Sequence, residues 1–316
     1  MSFLDELRRT LENGGSVTCG EPMKYHTTFR VGGPAQYFIT VTATEELCAV
    51  LRLCAENGIS VTILGNGSNV LVSDSGINGA VIKLAGAFEK ITITEHADGT
   101  GARVYAGAGV MLSALAMKVA KSGLGGLEFA AGIPGCVGGA VVMNAGAYGG
   151  EIRDAITGAD YVRLDGTTGH FSAEELQLSY RHSIFSEMPA VVCGAEFSFL
   201  KGNSEEALAK IAELGAKRRE KQPLEFPSAG STFKRPEGYF AGKLIMDSGL
   251  AGKQIGGARV SEKHCGFIIN AGGATAADIY TLIRFVKERV MEETGVCLEP
   301  EVRMLGEFFF ILIPLS

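Results

Sequence analysis

Apolar positions along this chain switch between a period of two and a period near three and a half, and the switches mark out its elements. The opening twelve residues, MSFLDELRRTLE, carry apolar side chains at helical spacing and predict an amphipathic helix. Residues 37–41 read as a strand. Thr44 then caps a helix with Leu47, Val50, Leu51 and Cys54 on one face and Gly58 closing it, and 61–64 is the next strand. Short strands follow at 80–84, 91–95 and 104–106, then a helix with Leu112, Leu115, Ala116 and Val119 on one side that ends near Gly123. Strands resume at 159–164 and 190–199. A helix over 205–219, charged along one side, predicts the start of a separate domain. Thr275 caps the last long helix, with Asp278 in its first turn and Ile279, Leu282, Ile283, Val286 and Val290 on its buried face. Gly295 ends it, and the apolar tail 308–315 predicts a buried strand.

One segment interrupts this pattern. Residues 129–150 carry no charge, long enough to span a bilayer, but seven glycines, a proline and Asn144 leave few large aliphatic side chains there. A buried glycine-rich loop fits better than a membrane helix, despite the G-x-x-x-G of Gly135 and Gly139.

Composition narrows the function. With 316 residues, 46% of them hydrophobic and 20% charged, the chain predicts two or three packed domains. A net charge of −6 with no Lys/Arg run argues against nucleic acid. Seven scattered cysteines without C-x-x-C, and a helix instead of a signal peptide at the start, predict reduced thiols in the cytoplasm. The five histidines lack zinc-site spacing, so no metal is expected.

Two loops carry candidate chemistry. Gly65-Asn66-Gly67-Ser68-Asn69 follows a predicted strand, and Gly132-Ile133-Pro134-Gly135-Cys136-Val137-Gly138-Gly139 sits at an expected helix start. Glycines let backbone N–H groups approach a phosphate closely, and two such loops favour a large phosphorylated cofactor over simple tight turns. Neither loop is a Rossmann or P-loop motif. Ser231 lacks the G-x-S-x-G of a hydrolase and, alone, reads as a loop serine. Pro300 keeps Glu301 and Arg303 in an extended segment, two apart and on one face; the pair suits either an active site or a surface ion pair. Arg181 suits either a structural or a catalytic role. Arg218 and Lys221, one helical turn apart, form either a phosphate clamp or a solvated face.

Taken together, these motifs resemble the UDP-N-acetylenolpyruvoylglucosamine reductase (MurB) family of peptidoglycan synthesis over almost the whole chain. The resemblance rests on Tyr25-His26-Thr27-Thr28-Phe29-Arg30-Val31-Gly32-Gly33, both glycine loops, Asn144-Ala145-Gly146-Ala147-Tyr148-Gly149 and Tyr180-Arg181-His182-Ser183. It continues through Ser228-Ala229-Gly230-Ser231-Thr232-Phe233, Gly257-Ala258-Arg259-Val260-Ser261-Glu262-Lys263-His264 and Glu299-Pro300-Glu301-Val302-Arg303. It implies an α+β chain: an FAD-binding fold of the vanillyl-alcohol oxidase (PCMH) type in two subdomains, 1–84 (with the tail 305–316) and 85–201, plus a substrate-binding domain, 202–304. It implies non-covalent FAD held by Leu64, Gly65, Asn66, Gly67, Ser68, Asn69, Gly132, Ile133, Pro134, Gly135, Val137, Gly138, Gly139, Asn144 and Gly146. NADPH would reduce the flavin, and hydride would pass from N5 to C3 of UDP-N-acetylglucosamine enolpyruvate. Ser231 matches the proton donor to C2, and Arg181 and Glu301 match the residues stabilising the enolate-like intermediate. Arg218, Lys221, Arg235 and Arg303 match substrate-binding positions. Only fifty positions separate Arg181 from Ser231, which resembles the short-loop (type II) branch without an inserted tyrosine loop. Two rivals are a flavin oxidase of the same fold, with His26 the candidate tether, and a sugar-nucleotide-binding protein without turnover.

Overall fold

The computed structural model describes residues 2–12 and 14–308. Apolar faces read from the sequence become two separate cores. Seven α-helices form among the described residues: α1 (Phe3–Thr10), α2 (Thr44–Glu56), α3 (Leu112–Lys121), α4 (Val137–Val142), α5 (Ser204–Lys221), α6 (Ala241–Asp247) and α7 (Ala276–Thr294). The faces of α2 and α3 bury Leu47, Val50, Leu51, Cys54, Leu112, Leu115, Ala116 and Val119 in one core. Ile279, Leu282, Ile283, Val286 and Val290 of α7 pack in the other. Each large buried side chain contributes roughly 2 kcal/mol.

The chain divides into two compact units along the same lines. The first comprises residues up to Cys19, Tyr37–Asn66 and Gly79–Arg218. The second comprises Gly20–Gln36, Gly67–Asn78 and Arg219 onward. The segments 20–36 and 67–78, expected in a first subdomain, thus pack with the C-terminal unit.

Four strands pair in the order Ser16–Pro22, Pro34–Val41, Ile77–Leu84 and Val61–Leu64. The last two run parallel, with Val61 opposite Ala80. Five more form an antiparallel sheet in the order Thr168–Ser172, Ile156–Arg163, Ala190–Leu200, Gly101–Gly107 and Ile91–Glu95. In the second unit Gln254–Ile255, Ala258–Val260 and Ile268–Asn270 make a small antiparallel sheet, and Arg303–Leu305 pairs parallel with Val70–Val72.

Helix ends differ instructively. Thr275 and Asp278 form the expected capping box on α7, and Gly295 closes it at φ 71°. Thr44 is not a cap: α2 begins after Ala43, which offers no side-chain bond. The carboxylate of Glu46 instead reaches back out of the first turn, accepting from the N–H of Thr42 at 2.6 Å and of Gly15 at 3.0 Å. A threonine already inside the helix cannot bond its own first turn as a cap does. The strand expected over 308–315 falls, beyond Phe308, outside the described residues.

Candidate active site

In the second unit, Ser231 is exposed while the residue after it is fixed. Thr232 is fully buried. Its N–H donates to the Gly266 carbonyl at 2.8 Å, its carbonyl accepts from the N–H of Glu301 at 2.8 Å, and its hydroxyl accepts from the N–H of Ile268 at 3.0 Å. Three segments distant in sequence therefore meet at one residue. Lys234 N–H donates to the Glu299 carbonyl at 2.8 Å, and Phe233 and Pro300 form a bridge. The strands carrying Ser231 and Glu301 thus run side by side, antiparallel. Beyond Glu301, Asn69 accepts at its carbonyl from Arg303 N–H at 3.0 Å and donates its side-chain amide to the Glu301 carbonyl at 3.2 Å. The end of the first glycine loop is tied directly to the Glu301–Arg303 segment.

That loop is built on Gly67, at φ 61°. A Cβ there would lie 2.0 Å from the His26 carbonyl oxygen, so only glycine fits. Thr28 N–H donates to the Gly67 carbonyl at 3.1 Å, joining the loop to the Tyr25–Gly33 motif. His26 itself pairs through Nε2 with Glu21 at 2.9 Å. Arg235 is exposed, its guanidinium 4.0 Å from the centre of the Phe240 ring. Lys221 ends α5 and is exposed, as is Arg303 at the start of its strand.

In the first unit the start of the first expected cofactor loop, Leu64 to Asn66, lies against the Gly132–Gly139 loop. Leu64 is buried at the end of its strand. The Asn66 side chain donates to the Pro134 carbonyl at 2.6 Å, and a Cβ on Gly65 would sit 3.6 Å from Cys136 Cβ. Burial raises the Cys136 thiol pKa, opposed by the Asn66 N–H, so this sulfur is a neutral floor beneath the loop. Gly65, Asn66, Gly132, Pro134 and Gly139 are exposed, and nothing lies within 4 Å of where a Gly139 Cβ would be. This bare, open backbone fits a bulky cofactor. Not every expected donor is free, however. Ile133 N–H bonds Ala130, Val137 N–H bonds Val110 and Gly138 N–H bonds Ala108, each at 2.9 Å, and the Gly135 carbonyl accepts from Leu112. These residues shape the loop; their main-chain groups, so engaged, are already satisfied.

Asn144 also departs from a simple binding role. It is fully buried at φ 41°, donates to Glu151 Oε2 at 2.9 Å and to the Ser179 carbonyl at 3.0 Å, and accepts from Arg153 N–H at 3.0 Å. Its amide holds in place the turn that ends in Arg181. Ser179 and His182 close that turn, and Ser183 ties it to α4 through the Val142 carbonyl at 2.8 Å. Arg181, at φ 55°, donates to the Gly146 carbonyl at 3.3 Å and lies 5.0 Å from the Tyr180 ring centre. Tyr148 is left-handed too, at φ 53°. Non-glycine residues in this region cost about 1 kcal/mol or more each. Arg218 reaches this neighbourhood: a Cβ on Gly132 would lie 2.8 Å from its Nη1, and its guanidinium is 5.7 Å from the Tyr148 ring centre. The supporting roles of Thr232, and of Asn144, which the resemblance marks only as an FAD contact, escape sequence reading because they come from bonds to other segments.

Among the described residues no His, Cys, Asp and Glu cluster could hold a metal, and no helix is long and apolar enough to cross a membrane.

Comparison with known proteins finds a family for each of two stretches of the chain. Residues 35–172 match the FAD binding domain family, and residues 222–305 match the UDP-N-acetylenolpyruvoylglucosamine reductase C-terminal domain family. The reductase of Lachnoclostridium phytofermentans is 54% identical over 305 residues, covering 96% of this chain and 97% of that one. The Clostridium botulinum reductase is 51% identical over 292 residues, covering 92% and 93%. The crystal structure of UDP-N-acetylenolpyruvylglucosamine reductase (MurB) from Thermus caldophilus matches with a TM-score of 0.76 at 37% identity, over 92% of this chain and 99% of that one. The chain, an α+β flavoprotein with an FAD-binding domain, belongs to the UDP-N-acetylenolpyruvoylglucosamine reductase family of oxidoreductases.

Proposed function

We propose that this chain reduces the enolpyruvyl group of UDP-N-acetylglucosamine enolpyruvate to UDP-N-acetylmuramate, with NADPH as reductant. The observation that carries the reading is Ser231, exposed beside a residue whose buried bonds reach the Glu301 backbone. Bound FAD, held non-covalently by the Gly65–Asn69 and Gly132–Gly139 loops, supplies a two-electron carrier between nicotinamide and carbon.

Hydride addition at C3 leaves negative charge at C2, shared with the adjoining carboxylate. The Ser231 hydroxyl gives its proton to C2, a step that depends on placement more than on low pKa. The Arg181 guanidinium opposes charge on the carboxylate, an effect worth roughly 3 kcal/mol when preorganised. Glu301 works beside that carboxylate when it is protonated or paired with Arg303. Lys221, Arg235 and Arg303 take the substrate's diphosphate and neighbouring groups. Arg218, drawn to Gly132 and Tyr148, favours a cofactor phosphate over the substrate's. The seven unpaired cysteines support a cytoplasmic setting for the reaction.

Ser231→Ala separates the two half-reactions. Reduction of the flavin by NADPH should persist while oxidation by the enolpyruvyl substrate slows at least about a hundredfold. A variant that turns over normally would assign the proton to another group.

A further inference from the structure

Ser231 is held mainly from its downstream side, since upstream the Ser228–Ile269 bridge and buried Ala229 are separated from it by Gly230. Upstream, Gly230 is left-handed at φ 74° with nothing within 4 Å of where its Cβ would be. Downstream, the N–H of Thr232 belongs to the peptide unit that starts at the Ser231 carbonyl. Its bond to the Gly266 carbonyl, 2.8 Å long, fixes the plane of that peptide and hence the direction from which the hydroxyl is presented. Through Thr232, which Glu301 and Ile268 also bind, Ser231 is thus fixed in part by Gly266.

His264 holds it. The Gly266 N–H donates to His264 Nδ1 at 3.2 Å, so Gly266 is bound at both its main-chain groups. The imidazole lies close against bare backbone: a Cβ on Gly266 would be 2.9 Å from ring Cε1 and 3.1 Å from Nδ1, and one on Gly242 of α6 would be 3.4 Å from Cε1. Gly266 is not among the left-handed glycines, so what it provides is close approach to the ring. The Phe267 ring stands edge-on to the imidazole at 4.9 Å, and His264 N–H bonds Ser261 Oγ at 3.3 Å. An Nδ1 that accepts carries no proton, which fixes the tautomer with hydrogen on Nε2. Burial lowers this histidine's pKa, which favours the same neutral ring.

We propose that His264 is a positioning residue for Ser231, acting through Gly266 and the Thr232 peptide. The inference rests on Ser231 as proton donor. A displacement of about 1 Å at a reacting group can slow chemistry on the order of a hundredfold, so a remote lesion here should act on rate.

The test compares two substitutions in the FAD-loaded protein. His264→Asn puts an amide oxygen where Nδ1 stands; His264→Gln reaches the Nε2 position and leaves Gly266 N–H without its acceptor. Gly266→Ala pushes the ring away independently. Single-turnover oxidation of the reduced protein by UDP-N-acetylglucosamine enolpyruvate should slow about tenfold or more in His264→Gln and Gly266→Ala. In His264→Asn it should stay within about threefold of the parent, and in all three NADPH reduction and substrate KM should move less than about twofold. Added to Ser231→Ala, His264→Gln should cost nothing more. Equal losses in Asn and Gln, a parental rate in Gln, or equal slowing of both half-reactions would each overturn the proposal. If His264→Gln yields no soluble flavoprotein, a slow Gly266→Ala beside a near-parental Asn sustains it, and any other pairing overturns it. A Ser231→Ala enzyme with normal turnover would instead remove the donor assignment on which the proposal rests.

Discussion

At the residue scale, Ser231, Arg181 and Glu301 each suit a bland role when read alone, and chemistry is expected of them only through the motifs they share with the family. The residues that support them carry no mark of that role. Thr232, Asn144 and His264 act by bonds to main chain far away, and no local pattern announces such bonds. Asn144 shows the consequence: a fully buried amide with three partners, in a left-handed conformation. Asn144→Ala should lower the unfolding free energy by about 3 kcal/mol, measurable by urea titration, because it orphans the Arg153 N–H, takes one partner from the Glu151 carboxylate and leaves alanine in a left-handed conformation. Lys221→Ala should raise substrate KM about tenfold while kcat changes little, since a diphosphate is remote from the reacting carbon; an unchanged KM returns Lys221 to a solvated helix end. His264 gives a pH dependence with a definite sign. Its folded pKa is depressed below 6.5 by burial, so the unfolded chain takes up this proton first as pH falls. The stability it contributes is complete above pH 6.5 and is lost as pH falls through the folded pKa, and His264→Asn should flatten that slope in thermal melts taken across the window.

At the element scale, long periodic helices were read closely and short pieces were not. The expected faces of α2, α3 and α7 are the buried ones, because a 3.6-residue repeat has one way to meet a core. The strands Ser16–Pro22 and Thr168–Ser172, short and interrupted by Gly20, Glu21, Gly169 and His170, carry too weak an alternation to mark them as strands. The start of α2 departs from the expected Thr44 cap for a physical reason: Thr44 is already inside the helix, and Glu46 in the first turn reaches back past it to backbone that the helix does not contain. For α7, where the capping box is real, Thr275→Ala should cost about 1 kcal/mol in chemical denaturation, with cofactor content unchanged. A loss near zero would mean that the Asp74 carboxylate, which accepts from the N–H groups of Ala276 and Ala277 at 2.8 and 2.9 Å, caps this helix alone.

At the scale of the molecule, two cores sort the chain into two units that its linear order conceals. The segments 20–36 and 67–78 are built into the C-terminal unit through Gly67, Asn69 and the Arg303 strand, although they lie among residues of the other. Pairings across more than two hundred positions leave no trace in local composition, which is why a boundary drawn by position misses them. The glycine loops, by contrast, were legible, because bare backbone that must come close to something is written as glycine. The reaction proposed above assigns the loops to FAD, and Ser231 and Glu301 to the enolpyruvyl substrate. Its most direct test is the visible spectrum of the NADPH-reduced protein under anaerobic conditions, followed as UDP-N-acetylglucosamine enolpyruvate is added. Rapid return of the oxidised flavin band, one equivalent of substrate per flavin, is the expected result. A flavin that stays bleached after substrate is added would contradict the proposed reaction.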